Sequence, residues 1–228
     1  MDQIYLEPTA IIDSDSKPII EHAREVVDEA NNPVERAVKL YYAVRDGIRY
    51  DPYYPFYRPE HYRASNVLRD GRGYCVSKTS LLCALSRACG IPSRVGFATV
   101  RNHLATRQLL ALLGSDLFVY HGFIEFFLEG KWLKATPAFN AEICNRHNVE
   151  PLEFNGHEDS IFQTYNLEKK KFMEYVAFHG TYADIPVERI VAAWEEAYGQ
   201  SRVACWIKLF EKRANLRRKF IKEDVVQN

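Results

Sequence analysis

Between Pro33 and Gly47, Val34, Ala37, Val38, Tyr41, Tyr42 and Val44 recur at helical spacing, an apolar stripe that predicts a helix with one buried face. A first helix is expected over 18–31, with Pro18 suited to its opening turn. Ile48, Arg49 and Tyr50 read as extended. The next segment, DPYYPFYRPE over 51–60, carries three prolines and reads as an aromatic loop. Leu81, Leu82, Leu85 and Ala88 again fall at helical spacing, and Gly90 followed by Ile91-Pro92 marks the stop. That buried helix starts at or beside Cys75.

The pattern then turns to alternation. Residues 93–100 predict a strand and 104–113 a short helix. Residues 118–128 predict a strand with His121, Phe123, Glu125 and Phe127 on one face and Tyr120, Gly122, Ile124 and Phe126 on the other. Glu129-Gly130 turns this strand into 131–136, a hairpin signal. Residues 137–182 look looser, with a strand expected over 172–178, and helices are expected over about 186–197 and 202–222. Helices first, then a central helix, then antiparallel strands predict an α+β fold rather than alternating βαβ units.

Composition changes this picture little. The 228 residues suffice for one domain with a sizeable core, and 47% hydrophobic with 26% charged residues is ordinary for a globular chain. Lys plus Arg and Asp plus Glu both number 30, so no net charge draws the protein to nucleic acid or membrane. The basic C-terminal stretch (Lys208, Lys212, Arg213, Arg217, Arg218, Lys219) is diluted by Glu211, Glu223 and Asp224 and reads as a solvated helix face. No apolar run is long enough to span a bilayer, and the opening residues show no basic leader before an apolar stretch, so neither a membrane span nor a signal peptide is expected. The five cysteines are an odd number without zinc spacing. They suggest a reduced, cytoplasmic protein with no metal and no other cofactor. Oligomeric state is not legible.

The candidate chemistry starts at Cys75. The thiolate is the nucleophilic form of cysteine, and the free N–H groups and dipole of a helix start favour it. The preceding Gly71-Arg72-Gly73-Tyr74 lets the backbone turn sharply and leaves the sulfur uncovered. His121, in mid-strand, is the candidate base. Taken singly, each has an ordinary reading: a cysteine at a helix start is more often a small buried hydrophobe, and a strand histidine is more often a packed side chain. Cys83, Cys89, Cys144 and Cys205, and His22, His61, His103, His147, His157 and His179, keep those ordinary readings.

Two motifs lift the pair out of them. Gly73-Tyr74-Cys75, Leu81-Leu82, Ala84-Leu85, Arg87-Ala88 and Gly90-Ile91-Pro92-Ser93-Arg94-Val95 closely resemble the core motif of the transglutaminase-like superfamily. His121-Gly122-Phe123-Ile124-Glu125-Phe126, followed by Gly130-Lys131-Trp132, is similar to the family's second motif, with Phe123 where an aromatic is expected. The stretch from Tyr41 to Tyr50 looks like the lead-in. The resemblance covers about 34–137, leaving 138–228 as a C-terminal extension of a single domain over 1–228. It implies a cysteine-proteinase-type core, with the cysteine helix packed on an antiparallel sheet and helices at both ends.

It also implies cysteine-dependent acyl transfer or amide hydrolysis through a thioester on Cys75, acting on a peptide or protein carboxamide. The chain departs from the family at Thr136, in Lys134-Ala135-Thr136-Pro137, where the family usually carries aspartate. Threonine can accept a hydrogen bond from an imidazole N–H but cannot stabilise imidazolium by charge. Three explanations stay open. Thr136 serves as a weaker orienting group; or Asn140, Asp159, Glu174 or Asp184 reaches the ring; or the chain is a non-catalytic, peptide-binding relative. Tyr74 and the Cys75 N–H are candidates near an oxyanion. Tyr53, Tyr54, Arg72 and Trp132 are candidates to line the cleft, against a lid for the tyrosines, a surface ion pair for Arg72 and a core position for Trp132. The polar loop 156–160 is a further candidate border. A papain-like peptidase is disfavoured, because its cysteine signature is missing and the histidine follows too soon.

Overall fold

The computed structural model describes residues 2–213, with side chains through Glu211. Helix α1 spans Lys17–Val26 and α2 Pro33–Gly47. The first is shorter than its pattern predicts, because the chain turns after Val26 and Glu29 takes a left-handed conformation at φ 63°. Asn32 caps α2, accepting a hydrogen bond from the Glu35 N–H at 2.9 Å, with Pro33 in the first turn. Strand β1 (Arg49–Tyr50) pairs in parallel with β2 (Arg72–Gly73), and α3 (Ala64–Asp70) lies between them in sequence. The sequence pattern did not reveal α3; it follows the proline-rich loop and ends at Gly71, whose φ of 61° suits glycine.

Helix α4 (Cys75–Ala88) is the axis of the domain, and every residue from Cys75 to Arg87 is buried. Helices α1, α2 and α3 pack on one side of it and the main sheet on the other. An apolar stripe alone does not produce such burial, so its polar side chains need internal partners. The Lys78 Nζ donates to the carbonyls of Arg45 at 2.8 Å and Ile48 at 2.7 Å. The Arg87 guanidinium donates to the carbonyls of Glu7, Ser93 and Ala183.

The sheet runs β5–β4–β3–β6, all antiparallel: β3 is Ser93–Asn102, β4 Leu117–Leu128, β5 Lys131–Ala135 and β6 Met173–Tyr182. The β4–β5 hairpin matches its sequence signal, while β6 runs further than 172–178. Helix α5 (Arg107–Leu113) links β3 to β4 and is capped by Thr106, which accepts from the Leu109 N–H. Within the looser region α6 (Ala141–Arg146) forms one short helix. Helices α7 (Val187–Tyr198) and α8 (Gln200–Arg213) close the described chain; the expected continuation to 222, and with it Arg217, Arg218 and Lys219, lies outside the described residues. The arrangement is the expected α+β one, a cysteine helix against an antiparallel sheet with helices before and after.

Candidate active site

Cys75 is the first residue of α4. Tyr74 before it is extended, and its N–H donates to the Ser77 Oγ at 2.9 Å, fixing the helix start. Gly73 makes that start possible: a Cβ there would stand 2.4 Å from Ser77 Oγ. His121 lies on β4, and the next residue, Gly122, presses against the first turn of α4. The Cys75 sulfur is within hydrogen-bonding reach of the N–H groups of Gly122, Val76 and Cys75 itself. Strand and helix therefore bring the sulfur and the segment carrying the imidazole together.

Burial dominates the electrostatics of both groups. It pushes the Cys75 thiol up from 9.0 to about 11, against the pull of those three N–H groups. It lowers the His121 imidazole from 6.5 to about 3. The helix start alone suggests a thiolate, but the loss of water outweighs the dipole. Thiol and imidazole are therefore both neutral near pH 7.

The third position is open. His121 Nε2 is buried and has no hydrogen-bond partner, and its ring rests against Phe162 with centroids 5.0 Å apart. Thr136 Oγ1 also makes no hydrogen bond of standard geometry, although the Tyr175 hydroxyl is close enough to respond to it. Asn140 is committed elsewhere: its Oδ1 accepts from the Tyr50 N–H at 2.7 Å, and its amide donates to the carbonyls of Arg45 and Ile48. Asp159 bonds Lys134, Glu174 pairs with Arg101, His103 and Lys171, and Asp184 accepts from the Ile185 N–H.

A cavity of about 80 Å³ opens beside Cys75 and His121. Tyr74 lines it, and its hydroxyl donates to that of Tyr62 at 2.6 Å. Tyr53, Tyr54, Arg72 and Trp132, the expected cleft residues, do not line it. Tyr53 packs edge-on against Phe210. The Tyr54 hydroxyl donates to Asp70 and its ring lies under Arg72, which pairs with buried Asp51 at 2.8 Å. Trp132 packs on Tyr5 and Phe127 beneath the Arg94 guanidinium. Tyr53 and Tyr54 are packed because the loop 51–60 folds back onto the body, while Arg72 is held by its ion pair and Trp132 by its ring contacts. The 156–160 loop docks on the far strand, where His157 meets Glu129 and the Asp159 carboxylate accepts from the Lys134 N–H.

Part of the cavity wall that sequence reasoning missed comes from beyond Pro137: Phe139, Phe162, Trp194, Tyr198, Trp206 and Phe210. The sequence pattern marked α7 and α8 only as closing helices. His147, read as ordinary, also reaches the wall.

A cysteine opening a buried helix against a histidine-bearing antiparallel strand is the core of a transglutaminase-like α+β domain. Residues 20–137 match the profile of the transglutaminase-like superfamily, and the chain belongs to that family. Among solved structures it is similar to a protein from Cytophaga hutchinsonii provisionally called a cysteine protease, at 17% identity and TM-score 0.44 over 78% of this chain and 53% of that one. It is also similar to a protein from Parabacteroides distasonis provisionally called a protease, at 18% identity and TM-score 0.36 over 55% of this chain and 25% of that one. The chain thus spans about half the length of the first and a quarter of the second. No curated protein matches it. Among the described residues no helix is long and apolar enough to cross a membrane.

Proposed function

We propose that the protein is a cysteine-dependent acyl-transfer or amide-hydrolysing enzyme acting on a peptide or protein carboxamide, with Cys75 as nucleophile and His121 as base. The observation that carries this reading is the shared cavity wall: Cys75 and His121 both line one recess, and the Gly122 N–H acts on the sulfur. Because both groups start neutral, the thiol proton passes to His121 as the sulfur attacks the carbonyl, rather than before. His121 then returns the proton to the leaving amine, and water or an acceptor amine opens the thioester. The Cys75 N–H, with a donor from the loop before it, supplies the oxyanion site. Thr136 is the group of this chain nearest in role to the family's aspartate, and a neutral orienting residue supports cysteine–histidine chemistry elsewhere.

The unpartnered His121 Nε2 and the raised thiol pKa favour a second reading, a non-catalytic domain that holds a peptide in the same recess. Exposure to p-nitrophenyl acetate and intact-protein mass spectrometry separates the two. The enzyme reading expects one acetyl group on Cys75, absent in Cys75→Ala and slowed by orders of magnitude in His121→Ala. Acetylation spread over the five thiols, or unchanged by His121→Ala, leaves only the binding reading.

A further inference from the structure

Apart from the sulfur and the His121 ring, the cavity offers almost no polar chemistry. None of its lining side chains is a lysine, arginine, aspartate or glutamate. The titratable groups facing it are Cys75, His121, His147 and four tyrosines. His147 is lowered to about 4, first by burial and then by Arg146, and is therefore neutral near pH 7. Some polar atoms of the lining residues already have partners: Asn102 Oδ1 accepts from the Leu104 N–H, and the Tyr198 hydroxyl donates to the Leu117 carbonyl while accepting from the Val119 N–H. The rest is aliphatic or aromatic, from Leu109, Leu112 and Phe118 on one side to Trp194, Trp206 and Phe210 on the other.

Such a recess cannot solvate a charge, and a charged group brought into it unpaired costs several kcal/mol. An apolar group gains roughly 0.8 kcal/mol per methylene buried. At about 80 Å³ the space is smaller than the roughly 150 Å³ engineered cavity that admits benzene, so a chain of a few carbons fills it. The wall built by α7 and α8 lies outside the 20–137 match to the family profile.

We infer that the recess beside Cys75 is an acyl pocket, and that it takes a short, uncharged, apolar group on the acyl side of the scissile amide or ester rather than a charged or strongly polar one. This rests on the proposed nucleophilic role of Cys75. In the step, the Cys75 thiol proton moves to His121 while sulfur bonds to the carbonyl carbon. The bond from that carbon to the leaving oxygen or nitrogen then breaks, and the leaving group takes the proton. The acyl chain stays in the recess, and water later releases it as the carboxylic acid.

The test compares p-nitrophenyl acetate, butyrate, decanoate and the charged monosuccinate, reading acylation of Cys75 in the intact protein by mass spectrometry. Capture should rise about fourfold per added methylene from acetate to butyrate, then fall at decanoate when the recess is full. Monosuccinate should be slower than butyrate by on the order of a hundredfold. Leu112→Trp, checked by thermal melting, should remove the butyrate advantage over acetate. If butyrate and monosuccinate acylate Cys75 equally, the acyl-pocket inference is overturned while the nucleophile stands. If no ester acylates Cys75, the catalytic reading itself fails. Should Leu112→Trp not fold, the wild-type series alone decides.

Discussion

Gly122 lies against Val76 with no room for a side chain: a Cβ on Gly122 would stand 2.9 Å from the Val76 Cα. The neighbour is backbone in the first turn of α4, which cannot rotate away as a side chain could. Gly122→Ala must therefore push the histidine strand and the cysteine helix apart. We expect a loss of about 1–3 kcal/mol and a fall in Tm of roughly 2–12 °C, together with slower acylation of Cys75. Scanning calorimetry and the ester assay check both parts. An unchanged Tm would mean that the strand and the helix do not meet as closely as the geometry requires.

The strand is also held from its outer side. At the β3–β4 register shift Tyr120 takes φ 57°, one residue before His121. Both backbone groups of Val119 are bonded to α7: its N–H donates to the Tyr198 hydroxyl at 2.9 Å, and its carbonyl accepts from the Trp194 Nε1 at 2.8 Å. A non-glycine residue with positive φ persists only where its surroundings hold it. Tyr198→Phe should cost about 1–3 kcal/mol by leaving the Val119 N–H unpaired. It should also slow acylation more than a distant substitution of equal cost. Urea midpoints set beside acylation rates test this.

Stability should fall on the acid side. Between about pH 3 and 6.5 the unfolded chain holds a proton on the His121 imidazole that the folded chain lacks, so acid favours unfolding. His147, lowered to about 4, acts in the same direction. On the alkaline side Cys75 keeps its proton in the fold up to about 11, so the unfolded state gains from pH 9 upward. We expect Tm to drop from about pH 7 to pH 4, and His121→Gln to flatten part of that limb, with His147→Gln removing a separate part. Parallel acid limbs in wild type and both variants would sink the assignment.

Asn140 should behave as a bracket rather than a catalytic group. Its amide joins the Tyr50 N–H to the carbonyls that end α2. Asn140→Ala should therefore lower stability by about 1–3 kcal/mol while acylation of the folded protein stays within about twofold of wild type, a difference below 1 kcal/mol. A rate loss matching that of His121→Ala would instead place Asn140 in the machinery.

What the sequence determined by itself lies in the local patterns. The glycines before Cys75, the stripe through Leu81 and Leu85 and the Gly90 stop define a helix opened by cysteine. Alternation from Phe118 and the Glu129-Gly130 turn define the hairpin that carries His121. These signals are short-range, because backbone propensity and hydrophobic period act over a few residues. The tertiary structure alone decided what surrounds the pair. Burial of the whole cysteine helix overrode its dipole and left the thiol neutral. Asn140 became a bracket, Arg72 paired with Asp51, and Trp132 packed on Tyr5. Part of the cavity wall came from Trp194, Trp206 and Phe210, more than seventy positions beyond His121. Desolvation and the making of a cavity depend on residues distant in the chain, and no local pattern encodes which of them will meet.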